Sequence, residues 1–112
     1  MGWLRRLPSI VRAPVQRADL ATRAFASTGQ WVRAVAWGRV AVRENPMSAR
    51  AWNDLGLALS ALAGSDDPGC HGAQELWQEA ADAFQHALSL DPSFPDARNN
   101  LSIALAGHDS VA

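Results

Sequence analysis

The residue types that most readily hold a metal come together once in this chain, as Asp66, Asp67, Cys70 and His71. A protein metal site needs three or four ligands at set spacings, such as CxxC or two histidines one helical turn apart. Neither spacing occurs, and CxxCH, which would attach haem, is impossible with a single cysteine. The stretch "AGSDDPGCHG", 63–72, therefore reads as a solvated loop, and neither a metal nor a cofactor is expected. His86 and His108 stand alone further along. Glu75, Glu79 and Asp82 follow helical spacing and read as an outer face near a helix N-terminus, where negative charge complements the backbone dipole. Asp91 precedes Pro92 as part of a turn. With no Ser/His/Asp set, glycine-rich phosphate loop or carboxylate pair, the chain has no candidate catalytic residue and is not expected to be an enzyme.

A second group of residues points to surfaces. The opening stretch "MGWLRRLPSIVRAP" interleaves Trp3, Leu4, Leu7, Ile10 and Val11 with Arg5, Arg6 and Arg12. Its apolar run is too short for a secretory signal, and Arg6 stands where N-myristoylation wants Ser or Thr. Three readings fit an apolar face flanked by arginine. The arm lies on an anionic membrane, docks in a groove of a partner, or packs as an extra helix on its own domain. The contacts would come from Trp3, Leu4, Arg5, Arg6 and Leu7.

Charge is distributed unevenly. Residues 1–50 hold nine arginines against Asp19 and Glu44, a net +7, while 51–112 hold Arg98 against nine acids, a net −8. Such polarity either orients a docking partner or draws neighbouring helices together. The arginines are spread over several helices without obvious stacking aromatics beside them, so nucleic acid is not an expected partner. The 112 residues, 48% hydrophobic, suit one small domain with a single core. One cysteine excludes an internal disulfide and suits a reducing, cytoplasmic setting, and no apolar run is long enough to cross a bilayer.

Those candidates must be positioned by helices. Proline, glycine and small polar clusters divide the chain into helices at about 14–27, 31–43, 48–62, 73–90 and 95–106, with Ser48 placed to cap the third and Gly107 to follow the fifth. Strand alternation is absent, so the fold is expected to be all-α. Two stretches then repeat. "WVRAVAWGRVAVRENP" (31–46) aligns with "WQEAADAFQHALSLDP" (77–92), and "ARAWNDLGLAL" (49–59) with "PDARNNLSIAL" (95–105). Both alignments share one offset, 46 residues.

The repeat resembles the tetratricopeptide (TPR) family, a 34-residue helix-turn-helix with W-x-x-L-G-x-x-Y in its first helix and A-x-x-x-F-x-x-A-x-x-x-x-P through its second. Trp52, Leu55, Gly56 and Leu59 match the first half, with leucine in place of tyrosine. Ala80, Phe84, Ala87 and Pro92 match the second. The 46-residue offset is 34 plus a 12-residue insertion around 63–72. Repeat one covers about 15–48, with Phe25 in the aromatic place and Gly38 where phenylalanine is expected; Trp37 beside it is expected to fill that space. Repeat two covers 49–94, helix 95–106 closes the array, 1–14 is the basic arm and 107–112 a tail. Gly56, Ala80 and Ala87 would remove bulk where paired helices cross.

The resemblance implies a short α-solenoid of antiparallel helix pairs that binds a protein or peptide in a concave groove. The matching groove residues are Gln16, Asp19, Arg23, Arg50, Asn53, Leu57, Asp96, Asn99 and Ile103. The family branch that grips chaperone tails uses Lys, Asn and Arg at such places. Here Asp19 and Arg23 replace two of them and Leu57 interrupts the polar row, so that ligand is not implied. The expected function is a non-catalytic interaction scaffold or accessory subunit of a larger complex. The alternative is a peripheral membrane subunit anchored by the arginine-rich arm.

Overall fold

Most helix ends in the computed structural model, which describes residues 14–65 and 72–111, can be traced to local chemistry. Helix α1, Pro14–Ser27, ends at Gly29, whose φ of +74° is open to glycine at little cost. There the Gln30 N–H donates to Phe25 O at 2.9 Å and the Gly29 N–H to Ala26 O at 3.1 Å, the paired closure of a Schellman turn. Helix α2, Trp31–Glu44, stops ahead of Pro46. Helix α3, Ala49–Ala63, starts at Ser48, whose hydroxyl accepts from the Ala51 N–H at 3.2 Å. Replacing Ser48 by alanine should cost about 1 kcal/mol. Thermal melting followed by circular dichroism would show this as a Tm lower by roughly 4–8 °C.

Helix α4, Ala73–Leu90, opens with the Glu75 carboxylate accepting from the Gly72 N–H at 3.2 Å and closes at Asp91. The Asp91 carboxylate takes the Ser93 N–H and hydroxyl, which folds the chain toward Pro95 and α5, Pro95–Val111. One contact recurs across the repeat with different chemistry. The Trp52 indole N–H donates to Pro46 O at 2.8 Å, and 46 residues later the Arg98 guanidinium donates to Pro92 O at 3.1 Å.

The helices form successive antiparallel pairs, and there is no strand among the described residues. Each packs on its neighbours in sequence, and α3 also touches both α1 and α5, making one layer; α2 and α4 form the other. The core between them is largely alanine, with Ala34, Ala80, Ala81 and Ala87 inaccessible to solvent and Phe84, Leu59 and Leu76 as its large members. Gly56 meets Phe84 directly. A Cβ built on Gly56 would lie 2.5 Å from Phe84 Cε1, so the small residue lets an aromatic ring seat against α3 backbone. No helix among the described residues is long and apolar enough to cross a membrane.

The structure departs from expectation in two places within the fold. Trp37 does not fill the space beside Gly38: it is 38% exposed, and Leu55 of α3 leans in instead, with Cδ1 3.0 Å from a Cβ built there. Residues 107–111 are not a tail, because α5 continues through Gly107 to Val111. Gly107 sits inside the helix as the seat of Trp77, whose indole carbons would lie 2.5–2.8 Å from an added Cβ. That half-buried ring packs the last turns of α5 against the body.

Candidate binding surface

On α3 only Arg50 and Leu57 are exposed, two helical turns apart on one strip, since its other sides meet α1, α2, α4 and α5. Asp96, Asn99 and Ile103 make the corresponding strip on α5, and each is exposed. Leu57 and Ile103 occupy the same place in the repeat and are 44% and 53% exposed. Apolar side chains left in water at matched register form the centre of this surface.

Polar contacts between the helices of this layer brace it from behind. Arg23 on α1 donates to the Asp54 carboxylate on α3 at 3.3 Å. Asn100 on α5 donates to Asn53 Oδ1 on α3 at 3.2 Å, and Asn53 is buried. Arg23 and Asn53 thus hold the helices in register, while Arg50, Leu57, Asp96, Asn99 and Ile103 face solvent. Gln16 and Asp19 belong to α1, but their side chains lie outside the described residues, as do Trp3, Leu4, Arg5, Arg6 and Leu7 of the arm. Asp54 and Asn100 take part without having been singled out in the sequence, whereas Leu20, 52% exposed, stands at the register place of Asp54 and off the strip of Leu57. The signal for the first two was available, because each lies next in sequence to a residue of the polar row.

The acids of α4 are used differently from one another. Asp82 accepts from Gln78 within the helix. Glu79 does more than solvate a helix start: both its oxygens take the Arg39 guanidinium of α2 at 2.9 Å, joining the two outer helices. Both side chains of that pair are about 40% exposed, so water screens it to a fraction of a kcal/mol up to about 1 kcal/mol. On the same edge Trp52 stacks on His86 with centroids 4.0 Å apart.

At the turn end, Gln30, Trp31, Arg33, Leu62 and Ser65 help line a cleft of about 370 Å³. Among the described residues no three His, Cys, Asp or Glu side chains gather where they could hold a metal ion. Asp66, Asp67, Cys70 and His71 lie outside those residues. The surface can present apolar anchors between fixed polar pairs, which suits a peptide or helix face better than a small polar molecule. A comparison with protein-family models finds none that matches this sequence, and a comparison with curated proteins likewise finds no match.

Proposed function

We propose that this chain is a non-catalytic scaffold of the tetratricopeptide kind, holding a protein or peptide partner on the exposed side of α1, α3 and α5 as an accessory subunit of a larger assembly. The observation that carries the reading is the exposed pair Leu57 and Ile103, set at one register place on neighbouring helices. A partner's apolar side chains anchored there would be oriented by Arg50, Asp96 and Asn99 around the rim, the usual division between a dry centre and a polar edge. The small number of helix pairs supports a role inside an assembly, since short arrays gain stability from what they stack against. The lone cysteine supports a cytoplasmic setting.

The test is photo-crosslinking in the native cell, with benzoylphenylalanine at position 57, at 103, or at the exposed Gln85 of α4 as a control. Positions 57 and 103 should capture the same protein and position 85 should not. Leu57→Arg should then weaken retention of that protein by about tenfold or more, with helicity unchanged. Capture of unrelated proteins at 57 and 103, or equal capture at 85, would overturn the reading.

A further inference from the structure

The two ends of the array are finished differently. Successive helix pairs are joined by Arg23 to Asp54 and by Arg39 to Glu79. Asp54 and Glu79 therefore mark the sides of α3 and α4 that face the preceding pair, and Ala83, one turn beyond Glu79, is buried there at 3% exposure. Moving these places back by one repeat, 34 residues on α3 and 46 on α4, gives Leu20, Arg33 and Trp37. Leu20 and Trp37 are exposed. The far end is built the other way. Trp52 and Gly56, through which α3 receives α4, become Arg98 and Ser102 on α5, both exposed and polar; Leu105, in the place of Leu59, is the apolar exception. The α5 end is dressed mainly for water, and the α1–α2 end is not.

The helix that precedes the second pair reaches across to that pair's second helix, as α2 precedes α3 and joins α4 through the Arg39–Glu79 ion pair. The segment in that position for the first pair is residues 1–13, which run directly into Pro14 and carry Trp3, Leu4 and Leu7. We propose that residues 1–13 dock on the end face formed by Leu20 and Trp37. The reach is sufficient. A four-residue link like that between α2 and α3 leaves nine residues, about 13 Å even when wound as a helix, and Trp37 lies about 10 Å back from the end of α2 by the same rise. The contact is apolar in kind. The arm has three arginines and no acid, and Arg33 is turned off the face, donating to Gln30 and lying 5.8 Å over the Phe25 ring. Like charges around an apolar seat mean that salt leaves the docking unchanged or tightens it, whereas attachment of the same arm to anionic lipid weakens with salt.

Benzoylphenylalanine at position 37 of the dilute full chain, irradiated, digested with trypsin and read by mass spectrometry, tests this. The peptide 34–39 should be joined to peptide 1–5 or 7–12 within monomeric protein, with a yield that holds or rises from about 50 to about 500 mM NaCl. The pair Leu4→Asp and Leu7→Asp should cut those links at least about fivefold. Links to a second copy, links that avoid residues 1–12, a yield indifferent to the two aspartates, or loss of the arm links on adding phosphatidylglycerol vesicles would each overturn the docking. None of these outcomes bears on the surface at Leu57 and Ile103, so the two proposals fail separately.

Discussion

Phe84→Ala should remove a large part of the protein's stability, and adding Gly56→Ala should restore part of the loss. Phe84 is inaccessible to solvent and its ring lies against Gly56 of the facing helix. Truncating a buried phenylalanine costs about 3–5 kcal/mol, against a total of roughly 5–15 kcal/mol for a domain of this kind. Alone, Gly56→Ala drives a methyl into the ring at 2.5 Å and should cost about 1–3 kcal/mol, even after alanine returns about 1 kcal/mol of helix propensity. With Phe84 already truncated, the same methyl enters vacated space and only the propensity gain remains. The sign of the Gly56 substitution should therefore reverse between the two backgrounds, which urea unfolding of the four proteins would measure as a coupling of about 2–4 kcal/mol. If Gly56→Ala has the same effect in both, the two residues do not meet.

Gly107→Ala should release the end of α5. The added carbon would lie 2.5–2.8 Å from the Trp77 indole, whose two-ring core cannot move aside as the tip of a flexible chain would. The expected cost is about 1–3 kcal/mol, from a substitution that on an isolated helix would be favourable. Hydrogen exchange should speed up first at residues 107–110, and the tryptophan emission should shift to the red as the ring meets water. Gly64→Ala is the matched control. A Cβ built on Gly64, just past the end of α3, would lie 3.7 Å from the same indole, an ordinary contact, so the substitution should be close to neutral. Equal effects at 64 and 107 would mean that Trp77 is not seated as described.

Helix number and pairing were legible in the sequence because small and large residues recur in fixed positions, with Gly56, Ala80 and Phe84 the clearest. What could not be read was which of several residues fills a gap. Trp37 adjoined Gly38 in sequence, yet neighbours in a helix point about 100° apart, and it was Leu55 on the next helix that could reach. Gly107 was misread for a related reason. Glycine is a sound stop signal at a helix end, but it is also what a bulky ring requires at a close approach, and only the packing separates the two. The offset held a hint, since it aligns Trp77 with Trp31 and Gly107 with the small Ala61. On the candidate binding surface, Leu57 and Ile103 emerged exposed to solvent. Asn53 did not, because the neighbouring Asn100 reaches across to it, and one residue of register decides which of Asn99 and Asn100 does so.

The two arginine clasps between helix pairs have a direction, each running from the first pair to an acid on the second. Were the gene segment for the first pair copied in tandem, the new upstream guanidiniums would face Leu20 and Arg33, an aliphatic chain and a like charge. A joint made that way would lack both ion pairs that hold the present one.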